Sequence, residues 1–267
     1  MKKFFSKFYI ALVFAFLYLP IAVLIIYSFN ESKGTIWSGF SFKWYGELIR
    51  NELIISSLLN TLFVAIIASA CSAVLGTAAA FGMHNMKKFS KNMLKNATYL
   101  QNLNPEIVTG ISLMLLFTFF RLTPGYLTLI LAHITFCVPT VVLNVLPKLR
   151  QMNVNLVEAA LDLGCNKIQA FFKVVIPEIM PGIVTGTLMA LTYSIDDFVI
   201  SYFTAGPDSQ TLPVTIYSMT KKRISPEINA LSTILFVVVL TILIIVNVIS
   251  ANKEKEDAKK ASANGRK

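Results

Sequence analysis

The chain has 267 residues, of which 55% are hydrophobic and only 14% are charged. A soluble domain carries about a quarter of its residues as charges, so a soluble globular class is excluded, and several apolar runs of bilayer length mark a polytopic helical membrane protein. The net charge of +10 does not point to nucleic acid, because the 24 Lys and Arg cluster between apolar runs, where they set topology.

Six spans are expected in chain order: 8–29, 53–83, 98–120, 126–146, 182–203 and 230–250. The alternating pattern of a membrane barrel is absent. Backbone groups in lipid must then be satisfied within helices, so the expected fold class is an all-α polytopic membrane protein with six transmembrane helices. The run 8–29 follows Lys2 and Lys3 but exceeds the apolar region of a signal peptide, about 7–15 residues, and reads as a retained span. With the N-terminus inside, 17 of the 24 basic residues fall on inner segments, so both termini are expected to be cytoplasmic. Lys221, Lys222 and Arg223 run against that bias and suggest a docking role. Residues 1–252 read as one transmembrane domain and 253–267 as a polar cytoplasmic tail.

Outer-loop Trp37, Trp44 and Tyr45 read as an interfacial aromatic belt, with a cation–π contact to a passing ammonium as the other reading. His84 and His133 are each isolated, which favours helix–helix hydrogen bonding. Cys71, Cys137 and Cys165 show neither a disulfide framework nor a metal spacing, and no metal site is expected.

Between the fourth and fifth runs lies a polar segment, 147–181, that is too patterned for a plain loop. Leu156, Ala160 and Leu163 recur at helical spacing. Gly164 can end that helix, Asn166 and Gln169 form a capping box for the next, and Pro177 is expected to stop it. The result is a short cytoplasmic helical hairpin able to dock on a soluble partner.

The spacing Glu158-Ala159-Ala160, Gly164, Val174, Ile176, Pro177 resembles the EAA signature of binding-protein-dependent ABC importer permeases. Further stretches extend the resemblance along nearly the whole chain: 18–21, 28–30, 43–45, 105–108, 133–139, 194–199, 216–219 and 225–230. They are similar to spermidine/putrescine permeases of the PotC type. The resemblance implies a MetI-like permease fold in a bacterial inner membrane. It implies that Glu158, Ala159, Ala160, Gly164 and Pro177 couple the chain to an ATPase. The implied partners are a PotB-like second permease, a PotA-like ATPase dimer, a PotD-like extracytoplasmic binding protein and membrane lipid, with no nucleic acid. The implied cargo is a polyamine, another small cationic or amine solute being the alternative. No phosphate-binding Gly-rich loop occurs, so the chain is expected to be no enzyme and to hold no cofactor, ATP and Mg²⁺ belonging to the partner ATPase. The rival class is a secondary transporter acting alone, whose broken helices and inverted repeats are not evident in the pattern.

Asp196 and Asp197 lie inside the fifth run, where a charge costs roughly 2.5–3.5 kcal/mol even on the lenient insertion scale. On one continuous helix, Asp197 shares a face with Tyr193, Ser194, Ser201 and Thr204, and Asp196 shares a more apolar face with Thr192, Val199, Ile200 and Phe203. That pattern favours Asp197, with Tyr193 and Ser201, for a cation pathway, and Asp196 for its edge or for a neighbouring helix. Glu106, after Pro105, either joins the pathway or caps its helix.

Overall fold

The computed structural model describes residues 2–33, 36–222, 226–238, 240, 241 and 244. Among them the backbone is almost wholly helical, with one isolated antiparallel bridge between Asn30 and Phe40. Two compact units form, Met1–Glu52 with Ser218–Lys267, and Leu53–Tyr217.

In the first unit, α1 (Lys2–Tyr27) exposes apolar side chains such as Phe16 and Leu19, as a lipid-facing helix does. The chain then turns through the Asn30–Phe40 bridge into α2 (Lys43–Arg50). Trp44 is no belt residue: it is 1% exposed and its indole Nε1 donates to the Asn30 carbonyl at 2.6 Å. A buried indole N–H needs a partner, and the turn supplies it. Tyr45 bonds Ser28 at 2.7 Å, while Trp37 stays 46% exposed.

The second unit is built around α6 (Tyr126–Gln151), held between α3 (Glu52–Asn85) and α9 (Ile176–Asp196). Small residues allow the approach. A Cβ on Gly76 of α3 would come within 2.6 Å of Val141, and one on Gly186 of α9 within 3.0 Å of the Val141 Cα. Close backbone contact gives the dispersion that replaces a hydrophobic drive in lipid. Val141, Val142, Val145, Leu146 and Leu149 form the buried α6 stripe. Among the described residues, four helices are long and apolar enough to cross a membrane: Lys7–Tyr27, Glu52–Asn85, Tyr126–Gln151 and Lys167–Asp196.

Three expectations change. The third run is interrupted: α4 (Lys88–Leu103) ends before Asn104–Pro105, and α5 (Glu106–Phe119) begins after it. Proline disfavours the helical conformation of the residue before it, and Asn104 is extended, with φ −70° and ψ 134°. The fifth run begins earlier and ends earlier than expected. Lys167–Asp196 is one long helix, containing α8 (Lys167–Ala170), a π-helical turn at Phe171–Val175 and α9. Pro177 therefore does not stop the helix. The widened turn, closed by Ile176 N–H to the Phe171 carbonyl, accommodates a proline that would otherwise clash with a carbonyl one turn back. The sixth run contributes a shorter apolar helix, Pro226–Val238. Of its expected remainder, 239, 242, 243 and 245–250 lie outside the described residues, as do Arg223 and the tail 253–267.

Candidate functional site at a broken helix

After Asp196 the long helix breaks. Asp197 is extended (φ −65°, ψ 122°), and α10 (Val199–Thr204) starts two residues later. The expectation that one helix carries both carboxylates and Ser201 therefore fails. A break frees backbone N–H groups, and away from water they need acceptors. The Asp197 carboxylate supplies them: Oδ1 accepts from Ile200 N at 3.2 Å, and Oδ2 accepts from Ser201 N and Ser201 Oγ, each at 2.7 Å. Asp197 is 9% exposed, whereas Asp196 is exposed and no side chain or backbone group among the described residues donates to it. The ranking drawn from helix pattern is thus reversed in geometry. Asp197 is occupied as the cap of α10, and Asp196 is the free carboxylate.

His133 of α6 lies behind the break, fully buried. Its Nδ1 is 2.6 Å from Ser194 Oγ and its Nε2 is 3.0 Å from Ser201 Oγ, so the isolated histidine makes the helix–helix bonds expected of it. Ser194 sits on α9 and Ser201 on α10.

In front of the break is a cavity of about 430 Å³, bordered by α4, α5, α6, α9 and the start of α10. Tyr193, Asp196, Asp197 and Glu106 line it, and Ser201 does not. Glu106 is exposed in the first turn of α5, at the Asn104–Pro105 interruption, so two broken helices meet at this space. Gln101, Asn102, Asn104, Thr109, Phe136, Thr140 and Phe198 complete much of the wall. None of these was singled out from sequence. The signal was the polar run 101–104 ahead of Pro105, which a span drawn through it conceals. Gln101 and Asn104 both point amide N–H groups at Thr109 Oγ1, at 3.5 and 3.2 Å, which ties the two sides of the α4–α5 interruption. Among the described residues no basic side chain lines it, so its wall presents carboxylates and polar side chains. Such a space attracts cations while hydrogen-bonding them weakly at several points. Among the described residues no group of three or more His, Cys, Asp or Glu could hold a metal ion.

The segment 147–181 forms a second candidate surface. Asn153 caps α7 (Val154–Asp162), accepting from Asn155 N at 3.0 Å. Gly164, with φ +88°, ends it with bonds from Cys165 N to the Ala160 carbonyl and from Gly164 N to the Leu161 carbonyl, the paired pattern that a left-handed glycine permits. The Asn166–Gln169 capping box forms as expected, at 3.0 and 2.8 Å. Glu158, Ala159, Gly164 and Pro177 are exposed and Ala160 is buried. The apolar face differs from expectation: Leu156 and Leu163 are 44% and 87% exposed, while Ala160 and Val157 turn inward.

The model of the family described as "Binding-protein-dependent transport system inner membrane component" matches residues 72–255, which include the hairpin, the cavity walls and the break. The chain belongs to this family of ABC importer permeases. This permease is 36% identical over 244 residues to the spermidine/putrescine transport system permease protein PotC of Escherichia coli (strain K12), covering 91% of the chain and 92% of the relative. It is 38% identical over 251 residues to the putrescine transport system permease protein PotI of the same strain, covering 91% and 89%. The PotC protein of Haemophilus influenzae is 32% identical over 252 residues, covering 94% and 98%. The fold resembles that of a chain in the crystal structure of a bacterial ABC transporter that imports alginate, with a TM-score of 0.70 at 16% identity over 92% of this chain and 96% of that one.

Proposed function

We propose that this permease forms half of the membrane pathway of an ATP-driven, binding-protein-dependent importer of polyamines, with the cavity at the break as a cargo station. The observation that carries the reading is an acidic cavity, with no basic side chain among the described lining residues, in which Asp196 and Glu106 are exposed, in a chain similar over most of its length to permeases named for spermidine and putrescine. A polyamine brings two or more ammonium groups along a flexible chain. Each loses hydration in a low-dielectric passage, and an unpaired ion there costs several kcal/mol. Separate carboxylates on α9 and α5, with Tyr193 and the amides of Gln101 and Asn102 nearby, replace that hydration without a cage that would retain the cargo.

The chain of one permease encloses part of a passage, and a PotB-like second permease completes it. The exposed hairpin of Glu158, Ala159 and Gly164 seats on a PotA-like ATPase dimer, which holds the ATP and Mg²⁺, and a PotD-like binding protein delivers the cargo. Six spans with both termini in the cytoplasm place the hairpin on the ATPase side. Residues 1–252 act as one domain carrying a polar tail, 253–267.

The test is uptake of radiolabelled putrescine and spermidine by cells lacking their own polyamine uptake and supplied with all four components. ATP-dependent uptake competed by either polyamine, and not by neutral amino acids, is expected. Uptake that persists with a hydrolysis-dead ATPase contradicts the coupling and favours a carrier acting alone. Competition by monoamines but not polyamines would shift the cargo to another small amine.

A further inference from the structure

Asp196 and Asp197 are consecutive and both line the cavity, yet Asp196 is exposed to it and Asp197 is buried, its oxygens taken up as the cap of α10. Neighbouring helical residues point about 100° apart, so a rotation of that size in the last turn of α9 would exchange the two. The backbone of α9 carries Asp196 only as its last helical residue, and the extended Asp197 behind it leaves no further turn to stiffen that end, so side-chain contacts across the break add to its hold.

Besides the Asp197 cap, one contact spans the break from outside it, and it comes from α6. His133 reaches Ser194 on α9 at 2.6 Å and Ser201 on α10 at 3.0 Å, one side chain bonded to both sides of the break. The directions of these bonds form a chain. Ser201 Oγ donates to Asp197 Oδ2 at 2.7 Å, so toward His133 it accepts, and Nε2 carries a hydrogen. In a neutral imidazole Nδ1 is then an acceptor, and Ser194 Oγ donates to it. The bonds thus run one way, from Ser194 through His133 and Ser201 to Asp197. The ring is also wedged laterally: Phe136, one turn along α6 and part of the cavity wall, lies 5.1 Å from it.

We propose that His133 is the positioning residue of this permease's cargo station: by bonding Ser194 and Ser201 at once, it fixes the rotation of the break and keeps Asp196 aimed into the cavity. The proposal rests on the cargo reading above. His133 touches no cargo. It acts through the orientation of Asp196.

The test is polyamine uptake by the complete four-component importer, at matched permease abundance, for His133→Ala, His133→Gln and Ser194→Ala, each with and without Asp196→Asn. His133→Ala should lower maximal uptake about tenfold, with the half-saturating concentration unchanged, because the binding protein sets capture. His133→Gln keeps a donor toward Ser201 and should recover part of the loss. In the Asp196→Asn background, His133→Ala should cost less than about twofold, since two changes acting through one group do not add. A merely structural role gives the same fold-loss in both backgrounds, and that result, or parental uptake in His133→Ala, overturns the proposal. If His133→Ala does not accumulate, Ser194→Ala removes only one hydroxyl and should show the same dependence on Asp196 at smaller size; independent losses there overturn it equally. Parental uptake in Asp196→Asn alone is a different failure: it removes the cargo reading, and the proposal with it.

Discussion

Two interruptions lie on the same stretch of chain and follow opposite rules. At Pro177 a proline sits inside a long helix and the helix continues. At Asp197 no proline is near and the helix stops. The difference lies in where the backbone groups go. Ahead of Pro177 the π turn pairs Ile176 N–H with the Phe171 carbonyl, so the donor beside the proline keeps an acceptor. At Asp197 the chain turns extended, and a side chain takes up the freed donors of α10. A helix in lipid ends where local side chains can satisfy its ends, and the presence of proline alone does not decide it.

Removing the cap carries the largest expected effect on stability. Asp197→Ala leaves Ile200 and Ser201 N–H without their acceptor in a buried place, at a cost of about 2–4 kcal/mol. The thermal midpoint of the solubilised complex should fall by several degrees, or the protein should fail to accumulate; an unchanged midpoint would show that the cap is dispensable. Asp197→Asn keeps an acceptor and should fall less.

Glu158→Lys is the inverse case. Glu158 is exposed on α7, so stability and membrane abundance should hold, while uptake and cargo-stimulated ATPase activity fall together by about tenfold, the effect of roughly 1.4 kcal/mol at a docking contact. Loss of uptake with normal stimulation would separate the hairpin from coupling.

Gly164→Ala is smaller. Gly164 is at φ +88° with nothing within 4 Å of a new Cβ, so the cost is the strain of a left-handed residue, about 1 kcal/mol, and no clash. A thermal midpoint lowered by more than about 5 °C would reveal a contact that the geometry lacks.

Pro177→Ala should do least. The helix already continues through this position, so stability should change by less than about 0.5 kcal/mol. A change above about 2 kcal/mol would mean that the π turn depends on the ring.

Much of this was legible in the sequence. The hairpin could be read because its signals are local: Gly164 at the end of α7 and the Asn166–Gln169 box each need only neighbours to act. His133 was legible as a polar side chain without solvent. The break at Asp197 was not, because an aspartate that caps a helix inside an apolar run has the same spacing as one on a continuous polar face. Ser201 shares the side of Asp197 under both readings, by periodicity in one and by capping in the other. The burial of Trp44 escaped for a related reason, since its partner is the Asn30 carbonyl, a backbone atom that residue pattern does not display. The cavity wall from α4 was hidden because Gln101–Asn104 look like an imperfect span until Pro105 is allowed to break it.

Under the proposed function, the free carboxylate at the break, Asp196, serves the cargo and its buried neighbour serves the fold. The direct measurement compares polyamine uptake by Asp196→Asn and Asp197→Asn in cells with equal permease levels. Asp196→Asn should lose about tenfold or more in maximal uptake with unaltered thermal stability, since one charge pair at a partly desolvated site is worth about 1.5–3 kcal/mol. Asp197→Asn should lose less uptake per molecule folded, and should show the lower thermal midpoint of the two. Parental uptake in Asp196→Asn, or a larger uptake loss in Asp197→Asn at unchanged stability, would contradict the account.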